Sequence, residues 1–182
     1  MPDYVYCISC MANSEMAVAR TIEDSLHIRA IYLSFDREER KNGEWRIVTH
    51  PMYWGYVFLY ADAPVELLRV YQIEHVNSVL QYSVGDGNLR GEDRAFAQWA
   101  FNCDGHIGLS RALLVGDKAR IIDGPLKNYE GVIKRLDRHK RLAWVNVSVG
   151  DDVKPIRMYF EWLTVQDGRM IRLRDVERQG GK

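Results

Sequence analysis

An α+β chain, an α/β sandwich followed by a small five-stranded β-barrel, is what this sequence predicts. Apolar residues at near-helical spacing occur only before residue 102, where they alternate with runs rich in β-formers. After residue 113, five short strand-like runs recur at regular spacing with no helical pattern between them. Charge divides at the same place: residues 1–100 hold 9 basic and 14 acidic side chains, and residues 101–182 hold 16 and 11. A neutral chain is therefore acidic first and basic second, which points to two modules with different partners, the basic one suited to nucleic acid.

The 182 residues, 47% hydrophobic and 27% charged, have the composition of a folded protein rather than a disordered one. No apolar run approaches the roughly 20 residues of a membrane-spanning helix. The start MPDYVYC has neither a basic nor a long apolar region of a secretory signal. Three cysteines leave at least one unpaired, against a disulfide framework. The expectation is a soluble cytoplasmic chain with no membrane partner.

In order, residues 4–8 (YVYCI) read as a first strand, and Ala17, Val18, Ile22 and Leu26 as one face of a helix opened by Ser14 and Glu15. Residues 28–35 are β-branched enough for a strand. Asn42-Gly43 in the charged stretch after it is a hairpin-turn pair, with residues 45–48 returning. Residues 53–60 (YWGYVFLY) form an aromatic strand. Pro64 fits the first turn of a second helix presenting Val65, Leu68 and Tyr71 on one face. Residues 76–83 predict a strand and 92–101 a third helix, before an aperiodic NCDGHIGL linker. Runs at 115, 119–122, 131–136, 142–149 and 156–160 are the barrel strands, turned at Gly124-Pro125, residues 137–140 and Gly150-Asp151-Asp152. The basic stretch after residue 166 is expected to fray beyond about Arg174.

The most specific pattern runs from Val115 to Ile133: a Gly116-Asp117 turn, an alternating strand with Ala119 and Ile121 on one face, the Gly124-Pro125 turn, and Gly131 where a side chain would block a close backbone approach. It resembles the KOW motif, and the likeness extends from about Leu114 to Leu163. In the first half, Tyr6 in the opening strand, Glu15 opening a helix, Tyr53-Trp54-Gly55-Tyr56-Val57-Phe58, the strand 76–82 and Glu92 resemble the N-terminal domain of the NusG/Spt5 family of transcription factors. Trp54 stands where that family usually has proline, and Val5-Tyr6 where it has Trp-Tyr. These departures, with Leu136–Ala143 and Phe160-Glu161-Trp162-Leu163, resemble specialised bacterial NusG paralogs, most of all the LoaP type, although RfaH-type paralogs share much of the pattern.

The resemblance implies a NusG N-terminal domain at 1–103, a linker at 104–112, a KOW domain at 113–166 and a basic tail at 167–182. It implies a processive elongation and antitermination factor that is not an enzyme and uses no cofactor. Tyr6, Tyr53, Trp54 and Tyr56 match positions that dock on the RNA polymerase clamp helices. At alternate strand positions about half of such aromatics face the core instead. A hairpin in the nascent leader RNA is the expected recruiting element, with Rho or a ribosomal protein as a further partner of the KOW domain. Arg120, Lys127, Lys134, Arg135, Arg138, His139, Lys140 and Arg141, clustered around or near one barrel hairpin, are of the residue types that hold phosphates and stack on unpaired bases. Arg37, Arg40, Lys41 and Arg46 line the Asn42-Gly43 hairpin, opposed by Glu38, Glu39 and Glu44. The other reading of a KOW motif is a ribosome-associated or general RNA-binding protein.

Two chemical readings fare worse. Cys7-x2-Cys10 and Cys103-x2-His106 have the spacing of paired zinc ligands, but residues three apart on a strand point to opposite faces. A cysteine–histidine nucleophile pair lacks an orienting residue or oxyanion turn, and no phosphate-binding glycine loop is present.

Overall fold

The computed structural model describes residues 2–52, 54–115, 118–128, 133–137, 140, 142–149, 152–173 and 175–176. For 115, 118–119, 128, 133–134, 136, 145–149 and 152–154 it describes the backbone alone. Two compact units comprise residues 1–34, 50–106 and 147–154, and residues 35–49, 107–146 and 155–182.

The first unit is built on a four-stranded antiparallel sheet of β1 (Tyr4–Cys10), β2 (Arg29–Ile31), β5 (Tyr56–Ala61) and β6 (Val76–Val79), in the order β2-β5-β1-β6. Val5 through Ile8 are all buried, because β1 is central and both its faces are covered. Its pleat divides the core. Tyr6, Ile8 and Cys10, with Val57 and Leu59 opposite, pack against Val18, Ala19 and Ile22 of α1 (Glu15–Leu26). Phe58 and Tyr60, on the other face, meet α3 (Gly91–Asn102): Phe58 and Phe96 lie edge to face at 5.7 Å, and the Tyr60 hydroxyl donates to the Ala97 carbonyl at 2.8 Å.

Between them the short helix α2 (Leu67–Tyr71) starts later than Pro64 suggests. The Val65 N–H is held by the Tyr6 hydroxyl at 3.2 Å and Glu66 is extended, so the helix turns inward on Val70. Leu68, on the face expected to carry Val65 and Tyr71 with it, is 70% exposed, and Tyr71 is exposed too. The expected strand at 28–35 is also broken, into β2 and β3 (Ser34–Lys41). The break accommodates the end of α3. Gly105, at φ +69°, sits where a Cβ would come within 2.5 Å of Ile31 and 2.6 Å of the Tyr32 carbonyl, and its own carbonyl accepts the Ser34 N–H at 2.8 Å. The segment expected as an aperiodic linker therefore anchors α3 and carries β7 (His106–Ile107).

In the second unit, β3 and β4 (Glu44–Pro51) form the expected hairpin, with both Asn42 (φ 53°) and Gly43 (φ 85°) left-handed as a two-residue turn requires. They pair in the order β4-β3-β7. The basic half contains β8 (Ser110–Val115), β9 (Lys118–Asp123), a 3-10 turn at Pro125–Asn128, β10 (Ile133–Asp137), β11 (Leu142–Val149), β12 (Asp152–Gln166) and β13 (Arg169–Arg172). The five strands β8 to β12 lie in the order β10-β11-β12-β8-β9, with β8 and β12 parallel. The described residues of this five-strand order do not show the expected closure into a barrel.

β13 pairs with β12 from Leu163↔Arg172 to Gln166↔Arg169, so the sheet continues into the stretch expected as a tail. Gly124 is obligatory at φ +94°, since a Cβ would lie 2.5 Å from the Ser110 Cα. The buried Ser110 hydroxyl accepts the Leu126 N–H at 3.0 Å, which seats Leu126 in the core. Ile156, Met158, Phe160 and Trp162 alternate inward on β12. The turns expected at Gly116-Asp117 and Gly150-Asp151, and the close approach at Gly131, lie outside the described residues. Among the described residues no helix is long and apolar enough to cross a membrane.

Candidate functional site

On the first unit, the corner before β5 organises an aromatic edge. Gly55, at φ +81°, has its carbonyl accepting the Cys10 N–H at 2.8 Å, and a Cβ there would lie 3.0 Å from the Cys10 carbonyl oxygen. Its N–H donates to Glu15 Oε1 at 2.7 Å, and that glutamate is 1% exposed. The first turn of α1 and the corner are thus fastened by one buried charge-assisted bond. The latch orients Trp54 and Tyr56, half-buried, edge to face at 5.4 Å. Trp54 continues onto Phe96 at 5.7 Å and Phe58 at 6.3 Å, and Phe96 onto Trp99 at 5.3 Å. The indole Nε1 of Trp54 is buried with no hydrogen-bond partner among the described residues.

Of the four aromatics expected at a docking surface, Tyr6 is 5% exposed and lies in the core on the α1 face, its hydroxyl engaged by Val65. Surface contact there is corrected to a packing role. Trp54 and Tyr56 form the accessible edge of a cluster on the α3 face. Tyr53 lies outside the described residues.

On the second unit, Arg120, Lys127, Arg135 and Lys140 are exposed. Along the hydrogen-bonded strand order, Arg120 is on β9 at one end and Arg135 on β10 at the other. Lys127 follows β9, whereas Lys140 belongs to the β10–β11 tip, where its N–H donates to Asp137 Oδ1 at 2.9 Å. Lys134 is on β10, its side chain not described, and Arg138, His139 and Arg141 lie outside the described residues.

Two of the four cations of the β3–β4 hairpin are committed to its own carboxylates. Arg37 pairs with Glu39, and Arg46 with Glu44 at 2.9 Å. Three residues absent from the expected site residues line one groove with Lys140: Trp45, Arg157 and Tyr159. The last two are the outward positions of β12, a place the strict alternation of residues 156–160 marks in the sequence.

The three cysteines are not tuned as activated nucleophiles. Cys7 faces away from the α1 side that holds Cys10, as the three-residue spacing on a strand implies, so the two do not share a face. Burial, with Asp93 and Cys10 nearby, drives the Cys7 thiol far up; burial and Glu15 push Cys10 up to about 11; burial alone raises Cys103. All three hold their protons at neutral pH, the opposite of an activated nucleophile. The His106 imidazole Nδ1 is 3.3 Å from the Ser34 hydroxyl. Among the described residues no three His, Cys, Asp or Glu converge as a metal site.

Comparison with known proteins agrees with this architecture. Residues 115–149 match the family model of the KOW motif. The chain is 26% identical to the transcription termination/antitermination protein NusG of Campylobacter jejuni subsp. jejuni, over 85% of this chain and 93% of that protein. Its fold is similar to a solved structure titled "Domain interaction in Thermotoga maritima NusG", with a TM-score of 0.53 and 21% identity over 86% of this chain and 93% of the other. A more distant likeness, to the MjSpt4:Spt5 complex, has a TM-score of 0.30 and 12% identity over 92% and 98% of the two chains, and carries no argument.

Proposed function

We propose that this chain is a non-enzymatic transcription elongation and antitermination factor of the NusG/Spt5 family, acting by binding RNA polymerase. The observation that carries the reading is the likeness to NusG over 93% of that relative's length, with the KOW match falling in the basic half. Trp54 and Tyr56 suit the docking role, because a half-buried aromatic edge held by the Glu15–Gly55 latch offers apolar area at low entropic cost. Tyr53, next in sequence, is proposed to extend that edge. Residues 1–103 are proposed to grip the polymerase clamp helices and residues 113–166 to recruit, with Rho or a ribosomal protein as the proposed protein partner of the latter.

At a finer level, the proposal is a specialised, LoaP-like paralog brought to chosen operons by a hairpin in the nascent leader RNA. Arg135 and Lys140 at the β10–β11 tip, with Lys134, Arg138, His139 and Arg141, supply phosphate contacts, and Arg120 and Lys127 supply a second cationic site. Binding to polymerase in its closed, elongating form lowers the population of opened or paused states, which needs no covalent step.

Single-round transcription over a terminator tests this reading. Read-through that rises only when the template encodes the leader hairpin supports operon-specific antitermination. Unchanged read-through on both templates overturns it. The KOW match by itself fits a ribosome-associated RNA-binding protein, and co-purification separates the two: polymerase in the first case, ribosomal subunits alone in the second.

A further inference from the structure

Within the second unit, β3, β4, the β10–β11 tip and β12 enclose a groove of about 390 Å³. Leu142 and Phe160, both buried, form its apolar floor. Trp45 and Tyr159, half-buried, stand as aromatic walls. The Tyr159 ring is held by stacking on Phe35 at 5.4 Å and an 11° interplanar angle, with the Arg37 guanidinium 5.8 Å from its centroid. Around this lie three cations, Arg37, Lys140 and Arg157, against one lining carboxylate, Glu38. Arg37 is already paired with Glu39. Arg157 instead leans its guanidinium over the Trp144 ring at 5.6 Å, and Lys140 is exposed at the rim; neither forms an ion pair among the described residues.

We infer that this groove is a binding site for one unpaired nucleotide of a single-stranded nucleic acid, with its base against Trp45 and its phosphate on Lys140 and Arg157. The combination selects the ligand. An apolar peptide would leave the cations unmatched, and an acidic peptide without aromatic residues offers no π-face to the indole. A duplex buries its bases in its own stack, whereas an unpaired nucleotide offers a π-face and an anion one sugar apart. The volume falls at the low end of the about 300–1,000 Å³ typical of small-ligand sites, room for a nucleotide and little more. The inference rests on the RNA-recruitment reading above and names the part of the RNA that this unit would read.

The test is equilibrium binding of the full chain to a short oligoadenylate and to an abasic ribose-phosphate chain of the same length. The expected result is tighter binding of the oligoadenylate by about 5- to 150-fold, the worth of stacking one base. Trp45→Ala should erase that preference and Trp45→Phe restore part of it. Arg157→Ala and Lys140→Ala, both at exposed positions, should weaken binding to the two probes alike and each flatten the salt dependence by about one phosphate contact. An oligodeoxyadenylate arm separates the sources: tighter RNA than DNA binding assigns the site to nascent RNA, and equal binding to single strands of either kind. Equal affinity for the abasic chain, or Trp45→Ala losing both probes in parallel while Lys140→Ala and Arg157→Ala change nothing, overturns the inference. Polymerase binding and read-through are measured without these probes, so failure here leaves the proposed function standing. Failure there with success here leaves a nucleotide-binding protein that does not act on polymerase.

Discussion

Glu15 shows how much one buried side chain can decide. Its carboxylate accepts the Gly55 N–H in the core and thereby sets the corner from which Trp54 and Tyr56 project. Glu15→Ala leaves that N–H buried and unpaired, and should destabilise the fold by about 1–3 kcal/mol in urea unfolding. Polymerase affinity should fall further than unfolding alone explains, if the latch orients the docking edge. Cys10 carries a pH prediction with a definite sign. Its thiol is pushed from an ordinary value near 9 up to about 11 in the folded state, chiefly by burial, so the unfolded chain releases the proton first. Its contribution is full below pH 9 and declines as pH rises from about 9 toward 11. Denaturation midpoints measured across that interval should fall less steeply in Cys10→Ala than in the parent. Asp123 behaves oppositely: the Arg111 guanidinium, bonded to it through Nε at 3.1 Å, holds its carboxyl below the usual range. Carboxyl NMR titration of Arg111→Ala should show the Asp123 pKa rising back toward that range.

Elements show where local pattern and tertiary setting part. The β3–β4 hairpin was legible in Asn42-Gly43 because a two-residue turn needs two left-handed residues, and those two tolerate it. The α3 termination was not, since Asp104-Gly105-His106 reads as a loop until Ile31 and Tyr32 crowd the space a Cβ would occupy. α2 misled in the other direction. Leu68 and Tyr71 fit an inward helical face, yet the core is already filled by Val70 with Leu67 and Ile73 beside it. Nor is β13 suggested by its composition, because its pairing comes from the unusual length of β12, which leaves residues 163–166 with an open edge. The chain truncated after Gln166 should lose the β12–β13 ladder and the Arg172–Glu161 ion pair. A lower melting temperature for the basic half, read by differential scanning calorimetry, checks this. A midpoint unchanged from the full chain would show β13 adds nothing.

At the scale of the whole molecule, the two kinds of binding are proposed to reside on separate surfaces, and that separation is testable. Trp54→Ala with Tyr56→Ala should reduce polymerase co-purification while leaving RNA affinity within about twofold, as expected for sites that share no partner. Arg135→Ala with Lys140→Ala should do the reverse and reduce the slope of log affinity against log salt by about two, one for each lost phosphate contact. Loss of both activities in either double variant would mean that the surfaces are coupled or that the fold is damaged, which circular dichroism distinguishes.

By itself the sequence determined the order of an α/β half and a β half, the charge division between them, the KOW pattern and the glycine at its Gly124-Pro125 turn. These are properties of neighbouring residues, and short-range sterics and periodicity enforce them wherever the chain goes. Only the tertiary structure decided which aromatics are surface and which are core. Tyr6 and Tyr56 both sit on tyrosine-bearing strands, but pleat and register send Tyr6 beneath α1 and leave Tyr56 at the edge of the α3 face. It also brought Trp45, Lys140 and Arg157 from three distant segments to one groove. No local rule relates residues so far apart, because what joins them is the packing of β3–β4 against β12 through Phe35 and Tyr159.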